Sequence, residues 1–149
     1  MLIRNTKEFL KKTLQKKILC HDIGKKRIGL AISDPKHKIV TPLSIFNRDK
    51  SFYSNLLNVV REYNVGGIII GLPLNEDGST NRMCQFILDV SKNINNFLKK
   101  NKFELPIFFW DESYTSFEAL ERTYDLYKNI KSQKKTIDKF AAKIILEDF

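Results

Sequence analysis

From Ile18 onward the apolar and polar positions fall into short, sharply bounded runs. Ile18–Ile23 and Arg27–Ser33 are rich in β-branched and other apolar residues, and Gly24-Lys25-Lys26 between them predicts a hairpin turn. Ile39–Phe46 is a third candidate strand, after the Asp34-Pro35 turn. Phe52, Leu56, Val59, Val60 and Tyr63 then recur at the spacing of one helical face. Gly67–Ile70 is wholly apolar, as strands buried on both faces are, and it runs into a turn over Gly71–Gly78. Met83, Phe86, Ile87, Val90, Ile94, Phe97 and Leu98 mark a second helix, with Ser79 or Thr80 as its N-cap. Leu105–Trp110 is another buried-type strand, and Thr115-x-x-Glu118 fits the capping box of a third helix. Ile137, Phe140, Ala141, Ile144 and Ile145 put an apolar stripe on a last one.

Three leading strands with short turns predict an antiparallel meander, and the later strand–helix units predict strands parallel to the first. The class is therefore α/β. Ligands in such open sheets gather at the carboxyl ends of the parallel strands. Asp22, Gly71 and the pair Asp111-Glu112 each close an apolar strand and so become candidate neighbours.

Ahead of Ile18 the pattern changes. Residues 5–16 predict a short basic helix with Phe9, Leu10 and Leu14 on one side, readable as a nucleic-acid arm, a docking helix or a frayed extension. Residues 1–17 carry Arg4, Lys7, Lys11, Lys12, Lys16 and Lys17 against Glu8 alone. We divide the chain accordingly into a basic extension, 1–17, and one domain, 18–149, with no linker or repeat. The full chain's 149 residues, 42% apolar and 29% charged, suffice for a single buried core.

The formal charge of +9 favours a polyanionic partner, although Lys-rich usage alone also produces such an excess. Cys20 and Cys84 lie far apart without metal-ligand spacing, and Cys20 reads as a buried thiol. No run approaches the ~18 apolar residues of a membrane span, and Phe9-Leu10 is too short for a secretory core. A cytoplasmic protein with no membrane partner is expected.

Asp22 is the strongest chemical anomaly, a carboxylate near the end of an otherwise buried strand. Alternation puts it on one face with Ile18 and Cys20, leaving Leu19, His21 and Ile23 on the other. Turn stabilisation toward Gly24 is its bland reading. Asp111 and Glu112 follow Ile107-Phe108-Phe109-Trp110, and parity lets only one of them join Asp22 easily. Asp138 lies one turn before Ala141-Ala142, small residues that permit close approach to a sheet, yet alternating lysines also suit a solvated helix. Carboxylates from separate elements would hold one or two Mg²⁺ or Mn²⁺ ions, which prefer oxygen ligands and assist phosphodiester hydrolysis. Lys25, Lys26, Arg27, Lys134, Lys135 and Lys139 would then hold the flanking backbone. Asn75, in the Gly71-Leu72-Pro73-Leu74-Asn75 turn, offers both a donor and an acceptor and is a further candidate for contact with nucleic acid. That turn is no P-loop, since no Gly-Lys-Ser/Thr follows. His21 and His37 are too isolated for a histidine base or zinc site, and Ser33, Ser113 and Cys84 lack a histidine partner.

The constellation resembles the YqgF (RuvX-type) family, described as pre-16S rRNA nucleases and Holliday junction resolvases. The matching stretches are Asp22-Ile23-Gly24-Lys25-Lys26-Arg27-Ile28-Gly29-Leu30-Ala31, Gly71 through Ser79, Trp110-Asp111-Glu112 with Thr115, and Asp138 through Ala141-Ala142 to Leu146. They occur in family order and cover residues 18–149. The resemblance implies an RNase H-like fold, a five-stranded mixed sheet flanked by helices. Its acidic positions fall on Asp22, Glu112 and Asp138, with Asp111 as a companion, which selects Glu112 where parity could not. It further implies RNA as partner, pre-16S rRNA within a ribosomal particle, or branched DNA in the resolvase reading, for a monomer or homodimer. Ser113 stands where the family has Arg, and the extension precedes the usual family start.

Overall fold

The computed structural model describes residues 2–3 and 5–111. Leu2–Ile3 is a two-residue strand, β1, and Thr6–Lys12 a short helix, α1. The hairpin follows as β2 (Lys17–Ile23) and β3 (Arg27–Ser33), then β4 (Val40–Asn47), α2 (Ser51–Glu62), β5 (Val65–Leu72), α3 (Arg82–Lys100) and β6 (Ile107–Asp111). The order in the sheet is β1-β6-β5-β2-β3-β4. The meander β2-β3-β4 is antiparallel, whereas β5 and β6 run parallel to β2. This is the expected five-stranded mixed sheet, extended at one edge by β1, which pairs in parallel with β6.

Strand alternation divides the sheet's apolar residues between two faces. On one, Leu19, Ile23, Ile28, Leu30, Ile68, Ile70 and Ile107 pack with Phe52 and Leu56 of α2 and Ile87, Ile94 and Leu98 of α3. On the other, Ile18, Cys20, Ala31, Ile69 and Phe108 gather around Phe9 of α1. The continuous apolar runs of β2 and β5 thus follow from burial on both sides. The β4 edge tolerates Pro42 at a register shift opposite Leu30 and Ala31.

The basic helix docks on the sheet. Asn5 caps it by accepting from the N–H groups of Lys7 and Glu8 (2.9 and 3.3 Å). Phe9 is fully buried, with its ring centroid 5.6 Å from that of Phe108. A Cβ on Gly67 would lie 2.4 Å from Thr13 Cγ2 and 3.0 Å from Phe9 Cζ, so the close approach of α1 requires glycine there. The expected apolar side is narrower than its spacing suggests, because Leu10 and Leu14 remain 38% and 68% exposed. At the end of this segment His37 Nε2–H donates to the Lys16 carbonyl (2.8 Å).

Two boundaries differ from expectation. Strand β4 begins at Val40, since Ile39 is held in the Asp34 turn by its N–H bond to Asp34 Oδ1 (2.8 Å). Helix α3 is capped by Asn81, whose Oδ1 accepts from Cys84 N–H (2.9 Å), while Ser79 is engaged with Asp77. Among the described residues no helix is long and apolar enough to cross a membrane.

Because Phe9 fills the centre of its cluster, Phe9→Ala should cost about 3–5 kcal/mol of folding free energy. Urea unfolding followed by far-UV circular dichroism measures this, and an unchanged midpoint would show that α1 does not support the sheet.

Candidate functional site

Asp22 stands near the carboxyl end of β2, half-buried, on the face that carries Ile18 and Cys20. Its two neighbours across the sheet are glycines. Gly29 of β3 is its register partner, and Gly71 of β5 follows Ile70, the partner of His21. Neither contributes a side chain beside the carboxylate. The carboxylate is a hard oxygen donor, the kind that Mg²⁺ or Mn²⁺ prefers. Strand β6 brings Asp111 level with Leu72 of β5, so the ends of β2, β5 and β6 align as expected. Among the described residues no group of three acidic, histidine or cysteine side chains converges. Glu112, Asp138, Lys134, Lys135, Lys139 and Ser113 lie outside the described residues, as do the capping box at Thr115 and the last helix.

His21, adjacent in sequence, points to the opposite face. It is fully buried against Phe52 (centroids 6.2 Å apart), and neither ring nitrogen has a hydrogen-bond partner. Burial alone lowers its pKa to about 3, so the ring is neutral at pH 7. It acts as a core residue.

The hairpin turn carries Lys25 and Lys26 exposed and Arg27 half-buried at the same end of the sheet as Asp22. Gly24 N–H donates to the Arg27 carbonyl (2.8 Å), and a Cβ on Gly24 would clash with that oxygen at 2.8 Å. Arg48, just past β4, is fixed to this turn by its N–H bond to the Lys26 carbonyl (2.8 Å). Its guanidinium lies 4.4 Å from the centre of the Phe86 ring on α3. Arg48 and Arg82 escape a reading of the sequence, because they come from separate elements and neither belongs to a local cluster.

The loop after β5 is held by its own amides. Asn75 Nδ2 donates to Ser79 Oγ (2.9 Å) and Thr80 O (3.3 Å), and Asn75 Oδ1 accepts from Asn81 Nδ2 (3.0 Å). Asn81 Nδ2 also reaches the Pro73 carbonyl (2.8 Å), so one residue ties the loop to α3 as it caps the helix. Gly78 supplies the positive φ of +83° that closes the turn. Two hydrogen bonds from Ser79, through its hydroxyl and its N–H, hold the Asp77 carboxyl below the usual carboxylate range.

A family model described as RuvX, Holliday junction resolvase, matches residues 16–149. A Pelagibacter ubique protein described as "Putative pre-16S rRNA nuclease" is 34% identical over 140 residues, 93% of this chain and 89% of its own. A Wolbachia pipientis wMel protein of the same description is 35% identical over 150 residues, 99% of this chain and 94% of its own, a span that takes in α1. In solved structures, Thermus thermophilus RuvC in complex with Holliday junction substrate superposes with TM-score 0.53 at 10% identity, covering 87% of this chain and 91% of that one. This likeness shows the fold, the RNase H-like arrangement expected from the sequence.

The sign of the His21 effect is fixed by its shift. The unfolded chain takes up a proton there below about 6.5, whereas the folded chain resists it down to about 3. Stability is therefore whole above pH 6.5 and falls as the pH drops, by up to about 1.4 kcal/mol per unit. His21→Leu should flatten urea midpoints between pH 6.5 and about 4.5, above the carboxylate range, and an unaltered slope would refute this.

Proposed function

The chain belongs to the RuvX family, and from that premise we propose that it is a cytoplasmic metal-dependent nuclease hydrolysing RNA phosphodiester bonds in 5′-end maturation of pre-16S rRNA. The observation that carries the proposal is Asp22, a half-buried carboxylate between Gly29 and Gly71 where three parallel strands end. The relatives' descriptions as pre-16S rRNA nucleases support the substrate.

In this reading residues 18–149 form the nuclease unit and 1–17 an appended basic element. Asp22, Glu112 and Asp138 hold Mg²⁺ or Mn²⁺, with Asp111 as companion. Glu112 is preferred to Asp111 because the family resemblance assigns it the acidic position. The bound ion would supply an activated water and neutralise charge on the scissile phosphate. Lys25, Lys26 and Arg27, with Lys134, Lys135 and Lys139, hold the flanking phosphates. The Asn75 turn, made rigid by its own hydrogen bonds, borders the strand at the end of β5. The partner is RNA, within a ribosomal particle.

The family's description favours a second reading with the same chemistry, resolution of four-way DNA junctions, in which a homodimer would make two cuts. Parallel assays on precursor 16S rRNA and a four-way junction separate the two.

Asp22→Asn should lower Mg²⁺- or Mn²⁺-dependent cleavage by about a hundredfold or more while leaving the melting temperature near that of the parent. A well-folded Asp22→Asn chain that cleaves at the parental rate would overturn the assignment.

A further inference from the structure

A cleft of about 490 Å³ opens beside the hairpin turn, lined by Lys25, Arg48, Arg82, Met83 and Phe86. It lies on the α3 side of the sheet, opposite the face that bears Asp22. Its volume falls within the range of small-ligand pockets, about 300–1,000 Å³. Among the described residues none of its three cations makes an ion pair, so their charge is available to a ligand. The floor is apolar, and the Arg48 guanidinium lies over the half-buried ring of Phe86, its central carbon 4.4 Å from the ring centre.

This chemistry is specific. A flat guanidinium backed by an aromatic ring offers a planar, electron-poor surface on which a nucleobase stacks. Flanking cations take the phosphate. A base within a duplex has both faces covered, so the cleft suits a nucleotide of a single strand. Its position follows from the hairpin, since Lys25 is three residues beyond Asp22 and at most about 11 Å of backbone separates them.

We propose that this cleft is a nucleotide subsite that takes one splayed nucleotide of a single-stranded RNA, its base on the Arg48–Phe86 stack and its phosphate on Arg82 and Lys25. The proposal rests on the nuclease reading of the Asp22 end, and it adds that the strand crosses the hairpin turn from the Asp22 face to the α3 face. The subsite holds the RNA beside the cut and makes no bond to the reacting atoms.

Fluorescence anisotropy with a short labelled single-stranded RNA, with no divalent metal added, tests it without cleavage. Arg48→Ala and Arg82→Ala should each weaken binding by about 3- to 10-fold and reduce the slope of log affinity against log salt by about 0.7. Lys38→Ala, at the far end of the β3–β4 hairpin, should change neither. A 2-aminopurine placed at successive positions should report one base held apart from its neighbours. Arg48→Lys should keep the salt slope yet lose that signal, a separation that mere loss of charge or fold would not produce. Parental affinity and slope in both alanine variants would overturn the subsite, whatever Asp22→Asn does to cleavage. Displacement of the RNA by micromolar adenosine monophosphate would assign the cleft to a free nucleotide and likewise overturn it. If Asp22→Asn cleaves normally while the arginine variants lose affinity and slope, the subsite stands and the catalytic reading of Asp22 falls.

Discussion

The fold depends on covering the parallel pair β2–β5 from both sides. Ile18 through Cys20 and Ile68 through Ile70 are all but inaccessible to solvent, so every alternate side chain needs an apolar partner whichever way it points. On one face α2 and α3 supply that cover through side chains at helical spacing. On the other, Phe9 inserts among Ile18, Cys20, Ala31, Ile69 and Phe108, and the absence of a side chain at Gly67 lets its helix come down onto β5. The short helix is therefore a local consequence of the sheet's composition. With 7 residues it would be marginal in isolation, and burial of one large ring offsets that weakness.

The same constraint sets where polar chemistry can sit. In the middle of β2 a carboxylate would be stranded in hydrocarbon, at a cost no single partner offsets. At the strand's end the cover thins, and Asp22 is half-buried while the residues before it are sealed. His21 shows the contrast one residue earlier. Pointing into the helix-covered face, with both nitrogens unpartnered, it is kept neutral by desolvation and is no imidazolium acid at neutral pH. The strand thus turns a difference of one position, and hence of face, into a difference between packing and candidate chemistry.

Strand periodicity makes most of the sheet legible in the amino-acid sequence, because burial on two faces writes itself as unbroken apolar runs. Asp22 is legible for the same reason, as a charge interrupting such a run. Three kinds of feature are not. Strand β1 has only 2 residues and is defined by its pairing with the distant β6, so no local pattern announces it. Leu10 and Leu14 share the spacing of Phe9, yet it is Phe9 and Thr13 that reach the sheet, and spacing does not encode the depth of docking. Ser79 and Asn81 are both capable caps; the choice falls on Asn81 because Asp77 already engages Ser79. Glu112 and Asp138 are selected by family resemblance and lie beyond the described residues.

The cleft belongs to a fourth kind, a site assembled by closure of the sheet. Lys25 is a turn residue, Arg48 follows an edge strand, and Arg82 and Phe86 open a helix. What unites them is the Lys26 carbonyl, which accepts the Arg48 N–H and carries the end of β4 over the hairpin turn toward α3. Once Arg48 is fixed there, its guanidinium meets the Phe86 ring, and α3 is itself oriented by Asn81 and the loop that follows β5. The loop that follows β5 therefore also sets the geometry of the cationic stack. A polyanionic strand that bends around the hairpin turn would meet both, and this linkage gives the excess positive charge at that end a structural reason beyond composition.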